Sequence, residues 1–207
     1  VWIDWLFHLS NLHNLNLKDI SLDDFCEENI NENPVISDIE YYKNFLDWGM
    51  DGEPNNLCDD VIKWLKKNIP SDSNPNKLCW GDSRLGNVLY QDYKATALLD
   101  WEMSSIGDPV SDLAWGFAVD DASSLGLGIK KLEGSLDSNE AIDIWEENTN
   151  LSSKNYKFYR IFSLLKFSII MIRVAKKLMI NNIIELEKDF YKNNYISNFL
   201  EKEFKQI

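Results

Sequence analysis

Residues Leu78 to Trp115 read LCWGDSRLGNVLYQDYKATALLDWEMSSIGDPVSDLAW, and no other stretch of the 207 residues sets so much polar chemistry between apolar runs. Lys77-Leu78-Cys79-Trp80 predicts a short strand that Gly81 breaks. Val88-Leu89-Tyr90, β-branched and aromatic, predicts a second strand. Ala95 to Leu99 predicts a third, returning after the polar, turn-like Gln91 to Lys94. These last two make a hairpin with a four-residue loop. Hairpin pairing sets Asn87, just before one strand, beside Asp100, just after the other. The loop Gly81 to Gly86 carries Asp82 into the same neighbourhood. Two carboxylates and an amide converging there would be oxygen donors of the kind magnesium takes, alongside waters and substrate phosphates.

The surroundings read as helical scaffolding. Trp2, Trp5, Leu6, Leu9 and Leu12 follow helical spacing, with Leu15 continuing the stripe, so a helix is expected over Val1 to Leu17. His8 and His13 are five apart and do not share a face as ligands four apart would. Asp19 to Pro34 is polar and acidic, a loop or short helix. Ser37 with Glu40 makes a capping box for a helix over Ile39 to Trp48, ended by Gly49 and Gly52. Leu57 to Asn68 is amphipathic, with Leu57, Val61, Trp64 and Leu65 as its stripe. Asp108-Pro109 fits the cap and first turn of a further helix.

Asp120 to Glu140, with Gly126, Gly128 and Gly134 among serines, suggests a loop region, and its glycine spacing is not a nucleotide fingerprint. Ser138 to Asn148 is an acidic helix. Tyr156 to Met179 is apolar on most faces and so belongs in a core, its basic end suiting a helix C-terminus. A charged, amphipathic helix is expected over Ile183 to Phe204.

Composition narrows the function classes. With 44% hydrophobic residues the chain can bury one substantial core. A net charge of −13 repels nucleic acid and anionic membranes, and is read as a solvated acidic surface or as favouring a cationic substrate. Cys26, Cys58 and Cys79 form no C-x-x-C pair, which argues against a disulfide framework or a zinc site and suits a reducing cytoplasm. No basic leader precedes the first helix, and the longest apolar run, Ile161 to Ile180, is interrupted by Lys166, Arg173, Lys176 and Lys177, so neither a signal peptide nor a membrane span is expected.

The joint pattern WGDSRLGNVLY, LLDWE and GDPVSDLAW resembles the aminoglycoside phosphotransferase and choline kinase superfamily of protein-kinase-like enzymes. It is most similar to the phosphotransferase domains found with acyl-CoA dehydrogenases. The resemblance is strongest over Leu78 to Trp115 and fades towards the C-terminus. It implies an α+β, mostly helical fold: the C-terminal lobe of a kinase-like protein, with a small β-hairpin carrying the catalytic loop. One domain is expected over 1–207, with a helical region at 1–76, the catalytic core at 77–116 and a substrate-side helical region at 117–207.

By this resemblance Asp82 is the catalytic base that orients the acceptor hydroxyl. Asn87 and Asp100 hold magnesium and with it the nucleotide, ATP or GTP. Arg84 lies near the transferred phosphoryl group. Asp112 braces the loop through backbone hydrogen bonds, and His13 is structural. Glu102 either assists the metal or is a surface acid, and Asp120, Asp121 and Glu146 or Glu147 are candidate substrate contacts. Trp80 stands where the family usually has His, a change expected to alter packing and not chemistry.

The family's nucleotide-binding lobe, strand-rich with a strand lysine, would precede the first helix. The chain is therefore expected to be the large lobe of a longer protein, inactive alone. The implied activity is transfer of a γ-phosphate to a hydroxyl of a small molecule, with aminoglycoside, choline-like amine, sugar and hydroxyacyl thioester all open as acceptors. A non-catalytic kinase-like binding module and a metal-dependent phosphohydrolase remain as other readings.

Overall fold

The computed structural model describes residues 1–20, 33–181, 183 and 187–207. Its helices are α1 (Trp2–Asn14), α2 (Pro34–Met50), α3 (Asn56–Lys67), α4 (Val110–Ser124), α5 (Ser138–Thr149), α6 (Tyr156–Ile180) and α7 (Tyr195–Phe204). Its strands are β1 (Lys77–Cys79), β2 (Val88–Gln91), β3 (Lys94–Leu98) and β4 (Ser105–Gly107). Among the described residues no helix is long and apolar enough to cross a membrane.

The core is built around α6, which packs against α2, α3, α4 and α7. Phe158, Ile161, Phe162, Leu165, Ile169 and Ile172 are all buried, as a helix apolar on most faces requires. Helix α4 is buried nearly all round as well. Gly116 lets it come close to its neighbours. A Cβ there would lie 2.8 Å from the Trp5 ring of α1 and 2.9 Å from the Ser83 carbonyl oxygen.

The hairpin β2–β3 forms as expected, but its connection is tighter. Gln91 pairs with Lys94, leaving only Asp92 and Tyr93 in the turn. Both have positive φ, 49° and 63°, which a two-residue turn matched to strand twist demands. The polar run therefore overstated the loop. A bulge between Leu89 and Tyr90 adjusts the register, and Asp4 of α1 accepts a hydrogen bond from Ala95 N–H, tying β3 to α1. A pairing not expected from the sequence joins β1 to β4, with Leu78 opposite Ile106. Strand β4 is only three residues long, too short for periodicity to reveal this return.

Helix ends depart from expectation where caps were misread. Helix α2 starts at Pro34, with Asn33 accepting from Val35 N–H, because Pro at the first helical position is pre-set for it. It then runs through Gly49 to a left-handed Asp51. Helix α1 stops at Asn14, leaving Leu15 as an exposed cap and not part of the stripe. Helix α4 extends through Asp120 to Ser124, residues expected as loop. The last helix begins at Tyr195, where Asn194 and Ser197 form a capping box, and not at Ile183. Most of the expected loop at 19–34, including Cys26, lies outside the described residues, as do positions 184–186.

Candidate active site

The loop that follows β1 is held by four hydrogen bonds from two helices, α4 and α1. Asp112 of α4, 1% exposed, accepts at Oδ2 from Trp80 N–H (2.6 Å) and at Oδ1 from Gly81 N–H (2.8 Å). Its backbone carbonyl accepts from Ser83 Oγ at 2.6 Å. Trp5 of α1 donates its indole N–H to the Ser83 carbonyl at 3.1 Å. Asp112 thus braces the loop through backbone hydrogen bonds, as the resemblance implies.

His13 extends the brace. Its ring is fully buried, with Nε2 3.1 Å from Asp112 Oδ2 and Nδ1 2.9 Å from Trp145 Nε1. An indole N–H only donates, so Nδ1 accepts and the ring proton sits on Nε2, pointing at Asp112. The histidine is a structural link between α1, α4 and α5. Gly81 makes the sharp exit from β1 feasible. Its φ is +88°, and a Cβ would fall 2.1 Å from the Met103 carbonyl oxygen.

On this frame Asp82 is buried and its carboxylate is oriented from both sides. Trp115 donates its indole N–H to Oδ1 at 2.6 Å. Asn87 Nδ2 donates to Oδ2 at 2.6 Å and to the Asp82 carbonyl at 3.0 Å. Arg84 Nε donates to Oδ2 at 3.0 Å, from a side chain 44% exposed. With both amide protons of Asn87 spent on Asp82, its Oδ1 is left without a donor among the described residues.

Asp82, Arg84 and Asn87 are therefore brought into one cluster. Asp100 is not bonded to it: it is exposed and makes no hydrogen bond or ion pair among the described residues. Its backbone is nevertheless placed. Leu99 N–H donates to the Asn87 carbonyl at 2.8 Å, and Asp100 follows in a left-handed conformation (φ 61°, ψ 60°) that opens the turn Trp101–Met103. Glu102 in that turn is exposed.

Trp80 does more than pack. Its buried indole donates to the Leu99 carbonyl at 2.7 Å and lies against Trp101, with ring centroids 5.9 Å apart. One side chain thus ties the Asp82 loop to the Asp100 turn. Trp5 was legible only as a residue of the α1 stripe and Trp80 only as a packing change. Trp115 had no signal beyond being one of the chain's eight tryptophans, each an indole donor needing a partner when buried.

Most of the remaining candidates make contacts within the fold. Asp120 and Asp121 both pair with Lys131, and Asp121 also with Arg160 NH1 at 2.8 Å, which in turn holds Glu203. Glu146 accepts from Ser153 N–H, capping the turn after α5, and Glu147 is exposed. Helix α4 starts at Val110, one residue later than expected, with Pro109 at its cap; Asp108, just before it, accepts from Val110 N–H and from Asn74. Among the described residues no group of three or more His, Cys, Asp and Glu could hold a metal. An oxygen site here would rest on one amide and one carboxylate, the free Asn87 Oδ1 and Asp100. That fits a hard cation that keeps waters and binds substrate phosphates, and does not fit a closed protein cage.

Comparison with known proteins gives the family and the fold. A family model described as "Phosphotransferase enzyme family" matches residues 9–140, more than half of the chain. Acyl-CoA dehydrogenase family member 11 of Homo sapiens is 45% identical over 56 residues, 26% of this chain and 7% of that protein. The chain therefore matches only a small part of that relative's length. A putative aminoglycoside phosphotransferase from Ralstonia eutropha superposes with a TM-score of 0.77 at 20% identity, over 99% of this chain and 64% of that one. Plasmodium vivax ethanolamine kinase superposes with a TM-score of 0.60 at 13% identity, over 96% and 57%. At these identities the solved structures establish the fold, mostly helical and kinase-like.

Proposed function

The chain belongs to the phosphotransferase enzyme family, and from that premise we propose that it carries the acceptor-side half of an ATP- or GTP-dependent transfer of a γ-phosphate to a small-molecule hydroxyl. One observation carries the reading: the Asp82 carboxylate, buried, anchored by Trp115 and Asn87, and capped by the exposed Arg84. An acceptor hydroxyl would displace Arg84 Nε from Oδ2, donate its hydrogen bond there, and lose its proton to Asp82 late in the transfer. Trp115 and Asn87 keep the carboxylate aimed throughout, so the gain is largely in positioning. Arg84, released, would lie beside the moving phosphoryl group and offset its charge. Asn87 Oδ1 and Asp100 would hold magnesium, which when bound neutralises nucleotide phosphate charge.

The nucleotide-binding lobe is proposed to come from elsewhere in a longer protein. The described strands form two small two-stranded sheets, and their lysines turn to α1 and its cap: Lys77 to the Leu15 carbonyl and Lys94 to Asp4. His13 is engaged by Asp112 and Trp145 and is thus not free for the ligand set that a phosphohydrolase would need. The test is magnesium- and nucleotide-dependent phosphoryl transfer by the longer protein. Asp82→Asn should lower kcat by roughly 10²–10⁴-fold while costing only about 1–3 kcal/mol of stability, because its NH₂ must oppose the Trp115 or the Asn87 donor. Near-normal turnover of that variant would remove Asp82 from the mechanism, and robust turnover by residues 1–207 alone would overturn the need for a separate lobe.

A further inference from the structure

Next to Asp82 lies an aromatic box that the chain fills itself. Lys166 Nζ stands 5.2 Å from the Tyr42 ring, 5.7 Å from Trp115 and 5.0 Å from Phe162. Trp115 is the same residue that bonds Asp82. Such a box ordinarily captures an organic ammonium. Here it holds the protein's own, 13% exposed, whose nearest carboxylate is Asp38 at 3.8 Å. A cationic acceptor would meet like charge in a cage already occupied.

From that box α2 and α6 run on together. On α2, Phe45 and Trp48 stack at 5.4 Å, with Trp48 57% exposed. On α6 the Arg173 guanidinium lies 3.6 Å from the Trp48 ring centre. The neighbouring acids are taken: Asp47 by Lys43 and Asp51 by Lys176. Arg173 has no ion pair with any described carboxylate, although the chain carries 34 acids to 21 bases. Seven residues separate Lys166 from Arg173, two helical turns or ~10 Å along one face, with Ile170 between them. A guanidinium held against an indole with no direct ion pair, Asp51 acting on it only through space, is pre-ordered for a carboxylate or phosphate.

We propose that the α2–α6 seam receives an elongated acceptor whose hydroxyl lies at Asp82, whose middle is apolar, and whose far end is an anionic group bound by Arg173 on Trp48. The acceptor class is thus anionic, against what the overall charge of −13 would suggest. This rests on the phosphotransferase reading for what happens at Asp82.

The test is calorimetric titration of this chain with three straight-chain probes long enough to reach from Asp82 past Lys166 to Arg173, more than the ~10 Å between the last two: a hydroxycarboxylate, the matching hydroxyalkyl phosphate and the matching hydroxyalkylamine. At least one anion should bind tenfold or more tightly than the amine. Whichever anion binds more tightly identifies the end group. Arg173→Met should lower anion affinity at least tenfold and Arg173→Lys by less, both with wild-type Tm. Equal response to all three probes, absence of binding included, or an unaffected Arg173→Met overturns the inference. Binding needs no nucleotide, so the two readings fail separately. Phosphoryl transfer to amines without Arg173 dependence would sink the seam alone. Anion binding in a longer protein that transfers no phosphoryl group would sink the reaction alone.

Discussion

Removing the Asp112 carboxylate tests what holds the loop that carries Asp82. The side chain is 1% exposed and accepts from two buried donors, Trp80 N–H and His13 Nε2–H, and from the half-buried Gly81 N–H. Asp112→Ala strands all three. Each buried donor left unpaired costs about 1–3 kcal/mol, so the sum should reach roughly 3–6 kcal/mol even if a water repairs part of it. Asp112→Asn separates hydrogen bonding from volume. Its oxygen, placed at the Oδ2 position, keeps the Trp80 and His13 bonds. Its NH₂ then opposes Gly81 N–H, leaving a loss of about 1–3 kcal/mol.

Urea unfolding followed by circular dichroism should rank wild type above Asn above Ala, with Tm falling by ~2–4 °C for each kcal/mol lost. Amide exchange at Trp80 and Gly81 should accelerate most. If Asp112→Ala costs under about 1 kcal/mol with an unchanged denaturant slope, the loop is not held by these bonds and the reasoning fails.

Other perturbations probe separate links. Trp80→Phe keeps the ring but removes the bond to the Leu99 carbonyl. Stability should fall by about 1 kcal/mol, and in the longer protein the magnesium requirement should rise; an unchanged magnesium titration would show that the Asp100 turn does not depend on Trp80. Gly81→Ala places a Cβ 2.1 Å from the Met103 carbonyl at a φ of +88°, and should cost several times the ~1 kcal/mol of an ordinary Gly→Ala change in a strained turn, measured as the drop in Tm. Burial pushes the Cys58 thiol from 9.0 to about 12, with Asp59 adding to it. The folded chain then holds a proton that the unfolded chain releases. Stability is full below pH 9.0 and lost as pH rises towards about 12. Buried Cys79, raised in the same direction, adds to the loss. Tm against pH should decline over that window, and a flat Tm would refute the linkage.

How much of this was legible depended on sequence separation. Asp82, Arg84 and Asn87 fall within one loop of six residues, so their meeting needs only a local turn. The hairpin was readable because β-branched and aromatic runs flank a polar stretch. Its turn length was not, because Asp92 and Tyr93 carry no glycine to mark the positive φ they adopt. The start of α2 was missed because a capping box at Ser37 competed with the Asn33-Pro34 cap actually used.

The chemistry of the loop is written in its own residue types: an acid, an amide and a guanidinium at short spacing, with a glycine where the backbone must turn. What orients them is not written there. Trp5 reaches Ser83 across 78 positions, His13 reaches Asp112 across 99, and Trp145 reaches His13 across 132. The pairing of Lys166 and Arg173 with aromatic rings of α2 and α4 likewise exists only once the helices pack. A buried donor takes whichever acceptor the packed core presents. That choice is made by the burial of α4 and α6 and by the close approach that Gly116 allows, not by any neighbour along the chain.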